Sequence, residues 1–353
     1  MSAEQLMFIG TNASEHGIFA SKFNLESGKF SEPQAVGDAP RPSFLAMHPT
    51  LPMLYAVTRE STKPSGGVRA FQISFEDGSL ALLNQQSTGD QGPTHLEVTP
   101  DGKALLVANY SGGSTTLLPL DDTGQIGPLS ALVKHQGSSV NPKRQRAPFA
   151  HGVAISRAGR FACVADLGTD EVIVYRIVGN SKLSRVGAWK ALPGAGPRHL
   201  AFHPQQPWLY SINELDSTLS ALKFDVESGQ LNELQTLNTL PTGFTGKNTT
   251  AEVVVHPSGK FVYISNRGHD STAAFSIDPE SGKLALIEIE STLGDHPRFI
   301  GIEPSGQFLI AANRDANNLV SFRIDATTGK LEPTGHQITI KQPVCVVFPQ
   351  QEQ

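Results

Sequence analysis

GPRHLAFHPQQPWLYSINELDSTLSALKFD, from Gly196 to Asp225, decides the fold, because the chain writes nearly the same phrase again. It returns as AEVVVHPSGKFVYISNRGHDSTAAFSID from Ala251 and as HPRFIGIEPSGQFLIAANRDANNLVSFRID from His296. A unit of this length cannot bury its own apolar face and must stack against copies of itself. Within the copy from Ala251, AEVVVHP is a short β-branched run, PSGK a turn, FVYISN a second apolar run and RGHDS a polar loop. TAAFSID, the turn DPESGK and LALIEIES complete it. Four short strands and two glycine turns in about fifty residues are the pattern of a propeller blade.

Working outward, the turn after the first strand marks six copies: HPTLP at His48, TPDGK at Thr99, SRAGR at Ser156, HPQQP at His203, HPSGK at His256 and EPSGQ at Glu303. PVCVVFP at Pro343 is a first strand with no successor. The missing strands stand at the other end, as LMFIGTN, GIFASKFN and the ESGKF turn, with an edge strand before Ala39. The reading is therefore an all-β, seven-bladed propeller of four-stranded antiparallel blades, one domain over residues 1–353, with the last blade built jointly by the two ends. No segment carries a sustained 3.6-residue period, so helices should be scarce.

The 353 residues carry a net charge of −5, with 17% charged residues, 33 Gly and 24 Pro. That balance suits tight turns and argues against nucleic acid or a membrane surface as a general partner. Cys163 and Cys345 sit in apolar runs of different blades and read as buried thiols without a disulfide. The start, MSAEQLMFIGTN, lacks a basic n-region, and no apolar run approaches membrane-spanning length. The expectation is a cytoplasmic monomer.

Antiparallel strands place the residues before the first strand and after the second on one face of the disc. The first set holds Arg41, His95, His151, Arg198, His199 and Arg298. The second holds Arg59, Asn109, Asp166, Asn213, Glu214, Asn266, Arg267, Asn313 and Arg314. Several arginines and histidines thus gather at one channel mouth with two acids, Asp166 and Glu214. Such a focus suits a small anion, since guanidinium grips carboxylate or phosphate bidentately. The plainer reading, hydrogen bonding between neighbouring blades, fits the asparagines best. Two insertions, Gly137–His151 with Lys143, Arg144 and Arg146, and Leu240–Glu252 with Lys247, overhang this face and read as lids. No phosphate-binding loop, dinucleotide fingerprint, nucleophile elbow or metal cage is apparent, so neither cofactor nor metal is expected.

The motifs ANYSGGS, GPRH, NELDST, SNRGHDS and SVNPKRQ followed by AH resemble the seven-bladed lactonase-type propeller family. That family includes propeller 6-phosphogluconolactonases and fungal 3-carboxymuconate cyclases, and the resemblance runs along essentially the whole chain. It implies a catalytic set of His151, Arg198, Glu214 and Arg267, the groups that strand parity also selects. Relatives often have a second histidine where this chain has Phe149. The expected reaction is hydrolysis of a small anionic sugar lactone, 6-phosphogluconolactone above all. Glu214 or His151 would activate water, and Arg198 with His199 would stabilise the oxyanion. Arg267, with Arg298 or Lys247, would hold the anion, and His95, Asn109 and Asn313 complete the expected binding set. A carboxymuconate cycloisomerase and a non-catalytic binding scaffold are the alternatives.

Overall fold

The computed structural model describes residues 4–13, 16–59 and 66–349. Residues 1–3, the head of the stretch read as lacking a leader, lie outside them. The described residues form 28 strands, β1 to β28 in chain order, and no helix. They make seven four-stranded antiparallel sheets, six of them from consecutive strands. The remaining sheet has the order β28-β1-β2-β3, joining Pro343–Val347 to Glu4–Thr11, Ile18–Asn24 and Gln34–Gly37. We call this composite sheet blade 1 and number the others 2 to 7 along the chain.

The inner strands are β28, β4 (Leu45–Met47), β8 (Pro93–Val98), β12 (Ala150–Ile155), β16 (Pro197–Phe202), β20 (Thr249–Val255) and β24 (Pro297–Ile302). Each touches the next, and β28 touches β4, so the ring is closed. Second strands such as β13 (FACVAD), β17 (WLYSIN) and β25 (FLIAAN) are buried along their whole length, because both faces pack on neighbouring blades. Outermost strands such as β19 (Leu231–Asn238) carry only partly covered and solvated residues. The core is accordingly a set of clusters lying between blades, with Cys163 and Cys345 buried and unpaired in two of them.

The repeated phrase supplies the joints between blades. His48, His203 and His256 each donate Nε2–H to a turn carbonyl of the following blade, at Gly102, Gly259 and Gly306, over 2.8–3.0 Å. Their Nδ1 atoms accept backbone N–H groups of their own turns. At the rim, Tyr55 and Tyr263 donate to the carbonyls of Gly124 and Gly329 in the next blade, both at 2.8 Å. Gly329 has φ +73°, and an added Cβ would stand 2.4 Å from the Phe261 ring, so the turn requires glycine twice over. The same seat recurs across the closure, where Gly28 of blade 1 lies on Phe308 of blade 7. Among the described residues no helix is long and apolar enough to cross a membrane.

Tyr263→Phe removes one rim bond and leaves the Gly329 carbonyl without its donor, which should cost about 1 kcal/mol in urea unfolding. Gly329→Ala should cost more, since it adds backbone strain and a clash with Phe261. Equal effects would contradict the two-fold requirement at that turn.

Candidate functional site

The inner strands share one irregularity. At the mouth end of β8, β12, β16, β24 and β28 the pairing with the neighbouring strand skips a residue: Thr94, His151, Arg198, Arg298 and Val344 respectively. In β20 the pairing steps from Thr250 to Val253, so Ala251 and Glu252 together oppose Ser265. A bulge frees a side chain from the pleat and turns it out of the sheet plane. Aligned on the proline that precedes most of them, the freed residues occupy one register level around the axis. The next residue of each blade forms a second level, comprising Phe44, His95, Gly152, His199, Glu252, Phe299 and Cys345.

Glu214 lies just past β17 (Trp208–Asn213), where its N–H donates to the Gly196 carbonyl at 2.7 Å. Its carboxylate is enclosed by guanidinium groups. Arg198 Nε stands 3.0 Å and Arg267 Nη2 2.9 Å from Oε2, and Arg144 Nη2 stands 2.5 Å from Oε1. Burial alone would raise the carboxyl, but Arg267, Arg198 and Arg144 hold it far below the usual carboxylate range. Arg198 is only 1% exposed and also donates through Nη1 to the Ala251 carbonyl. Burial, with Arg267 beside it, pulls its guanidinium down to about 10. Arg267, the last residue of β21 (Phe261–Arg267), donates to the Thr250 carbonyl at 2.5 Å. Arg298 makes no hydrogen bond or ion pair with another described residue, and burial with Arg198 and Arg267 lowers it strongly. One carboxylate thus answers several arginines, and the cluster keeps an excess of buried positive charge. Such an excess is costly unless an anion completes it.

Beside the arginines lie three imidazoles. The His199 ring is 4.7 Å from His95 and 5.1 Å from His151 between centroids. Burial lowers both His151 and His199, with Arg198 next, so both are neutral at pH 7. His151 Nδ1 and His199 Nε2 have no partner in the protein. His199 Nδ1 lies 2.8 Å from Oε1 of Glu252, a carboxyl pushed up to about 7 by burial. His95 accepts the Val153 N–H at Nδ1 and packs on Phe44, one level below the bulges. A cavity of about 10 Å³ lined by Thr94, Arg198, His199, Glu252 and Arg298 lies among them. That is at the lower limit of the space one water needs. Tyr110 stacks on Phe149 and meets His151 edge-on, giving the site one aromatic wall.

The structure thus brings together His151, Arg198, His199, Glu214, Arg267 and Arg298. It does not bring Asn109 and Asn313 to the mouth. Both are fully buried, donating to Ser114 and Thr116 and to the Thr292 carbonyl and Asn318 respectively. They are interior pins, as expected for asparagines closing a strand-to-strand turn. Asp166 is likewise internal, receiving three loop N–H groups and lying 2.6 Å from His135 Nδ1. Lys247 is exposed on its loop, and its side chain makes no hydrogen bond or ion pair with the cluster. The loop 137–149 is clamped at two points. Buried Gln145 donates to the Leu167 carbonyl and to Asp170, and Asn141 caps the turn that presents Arg144. Glu252 escaped the sequence reading because it was counted as the end of an insertion. The bulge register of β20 against β21 is what puts it level with His95 and His199.

Two other concavities differ in character. The larger of the two, about 620 Å³, lies at the opposite face among the turns of blades 4 and 5, between Arg157, His203 and Phe224. The axial channel below the imidazoles holds about 540 Å³ and is mostly apolar apart from Glu97, His95 and Glu252. Neither contains the arginines, and it is the chemistry that locates the site. Among the described residues no three His, Cys, Asp or Glu side chains form a metal-binding group.

Comparison with known proteins agrees with this architecture. Residues 6–348 match the family described as Lactonase, 7-bladed beta-propeller. A 6-phosphogluconolactonase of Bacillus subtilis is 32% identical over 288 residues, covering 82% of this chain and 81% of that one. One from Formosa agariphila is 34% identical over 309 residues, covering 84% and 86%. The periplasmic gluconolactonase of Pseudomonas aeruginosa superposes with a TM-score of 0.91 at 29% identity, over 98% of this chain and 99% of that one. The chain belongs to the seven-bladed lactonase propeller family of enzymes.

Two outcomes follow from the electrostatics. Glu214→Gln leaves the guanidinium groups without a counter-charge and should lower stability at pH 7 by about 3–5 kcal/mol. Inorganic phosphate should raise the variant's Tm more than the wild type's. The second concerns Glu97, which burial pushes up to about 8 from 4.5. The folded state keeps a proton that the unfolded chain releases, so this stabilisation is complete below pH 4.5 and lost as pH rises to about 8. Glu97→Gln should therefore melt above the wild type at alkaline pH and level with it near pH 4.

Proposed function

We propose that the protein hydrolyses 6-phosphogluconolactone to 6-phosphogluconate. The observation that carries this reading is the excess of guanidinium over carboxylate at the mouth. Arg144, Arg198 and Arg267 share Glu214, and Arg298 has no partner. A substrate with a dianionic phosphate and a carbonyl that becomes an oxyanion uses this charge twice. The names of the Bacillus and Formosa relatives point the same way.

In this mechanism Arg267 and Arg298 hold the phosphate, and Arg144 closes over it from the clamped loop. Arg198, immobilised between Glu214 and the Ala251 carbonyl, stabilises the tetrahedral oxyanion. A donor fixed before the reaction needs no reorganisation as charge develops. Glu214 serves as the anchor of the arginines, because a carboxylate held so far below its usual range takes a proton poorly. The base that activates water is then an imidazole of the His151 and His199 pair, both neutral at pH 7.

Lactone opening by the purified protein, measured above the buffer rate, tests this. 6-Phosphogluconolactone should be preferred over gluconolactone, mainly through KM. Arg198→Ala should lower kcat by about 10²–10³, and Arg267→Ala should erode the preference for phosphate. Equal kcat/KM for the two lactones would exclude the phosphosugar reading, and no turnover of either would exclude lactone hydrolysis.

A further inference from the structure

The site holds two imidazoles of similar environment, but they are supported differently. His151 has an edge-on tyrosine and no hydrogen-bond partner at Nδ1. His199 has a buried carboxylate at 2.8 Å from Nδ1, contributed by the neighbouring blade at the same register level. Glu252 is itself fixed. Its N–H donates to Ser265 Oγ at 3.0 Å, and Oε1 accepts the Val253 N–H at 3.2 Å. Between His199 and His151 the chain has Gly152, where a Cβ would meet His199 at 3.0–3.1 Å and the Arg198 carbonyl at 2.5 Å. The ring is thus packed closely on one side and held by a carboxylate on the other, while His199 Nε2 remains without a partner. The water-sized cavity is lined by His199 and Glu252 and by Arg198 and Arg298.

We propose that Glu252 is a positioning residue that fixes the ring and tautomer of His199, making His199 Nε2 the general base of the site. This deepens the hydrolase reading above and rests on it for the reaction. Glu252 accepts Nδ1–H, which leaves a lone pair on Nε2, the arrangement by which a base is oriented by a third group. Water in the cavity gives a proton to Nε2 as its oxygen bonds to the lactone carbonyl carbon. The tetrahedral oxyanion collapses, the bond from that carbon to the ring oxygen breaks, and the ring oxygen takes the proton back from Nε2. The product is an open-chain acid, and the pair returns to its starting state. His151 then faces the substrate as a contact.

The groups that set the titration of this pair come from every strand around it. They are Arg198 beside it, His95 on β8, His151 on β12, Glu214 and Arg267 past the second strands of blades 5 and 6, and Arg298 on β24. Arg198, Arg298 and Arg267 disfavour the His199 imidazolium and Glu214 favours it, while Glu252, with Oε1 2.8 Å from Nδ1, is the carboxyl in direct contact with the ring.

The test is Glu252→Gln, with Glu252→Asp beside it, in the full chain. Glutamine keeps the volume but can donate to Nδ1, which moves the proton to Nε2 and removes the base. The expected result is a fall in kcat of about 10²–10⁴, with KM within about threefold and loss of the wild-type limb of the pH–kcat profile. Aspartate should recover part of kcat. Wild-type kcat and pH profile in Glu252→Gln, with only Tm lowered, would overturn the proposal, as would His151→Gln abolishing turnover while His199→Gln retains it. Nitrogen-15 spectra of the histidine rings, assigned with His199→Gln, give a readout that needs no turnover. They should show His199 protonated at Nδ1 in the wild type and at Nε2 in Glu252→Gln. The opposite tautomer in the wild type refutes the positioning role. A wild type that opens no lactone but shows the expected tautomers would reject the hydrolase reading alone.

Discussion

Everything at the mouth depends on the pairing of β1 with β28. A propeller blade presents only one or two residues to the axis, so no single blade can make a site. Here the groups come from blade 4 (His151), blade 5 (Arg198, His199 and Glu214), blade 6 (Glu252 and Arg267) and blade 7 (Arg298). Their separations are set by the angular spacing of the sheets, and that spacing is fixed only when the ring is shut. The antiparallel register from Phe8 with Val347 to Thr11 with Pro343 shuts it. The glycine seat of Gly28 on Phe308 then joins blade 1 to blade 7 as the other blades are joined.

A closed ring also explains how so many like charges survive together. In a helix or loop, buried guanidinium groups would move apart or draw in water. Here Arg198 and Arg267 are tied to backbone carbonyls of β20, at Ala251 and Thr250, and that backbone is locked in a ladder. The inner-strand bulges supply the direction, since a regular pleat would bury or expose these residues by strict alternation. Glu214 offsets part of the repulsion, and a bound anion would offset more of it.

Much of this was legible before any coordinates. The turn sequences gave seven blades and the shared closing blade, because turns demand particular residues at particular places. Strand parity brought Arg198, Glu214, Arg267, His151 and Arg298 to one end. It erred on Asn109, Asn313 and Asp166, since parity says which end a residue occupies but not whether its side chain points to the axis or into the wall. It also missed Glu252, which depends on bulge register, a property of two paired strands that neither strand shows alone. The roles of Arg144 and Gln145 were equally out of reach, because a loop's clamp is written in partners distant along the chain.

The bulge positions are not chemically uniform around the ring. In blades 1 and 3 they read Val344 and Thr94, and from blade 4 onward they carry His151, Arg198 and Arg298 around the small Ala251. The fold has seven-fold repetition, yet the mouth has a charged arc and a neutral arc. The neutral arc holds none of the residues ion-paired to Glu214, and its Thr94 accepts from the Arg59 guanidinium. Within one ring of equivalent positions, some blades thus set charge and others only shape, so electrostatics and fit are divided between different parts of the circle.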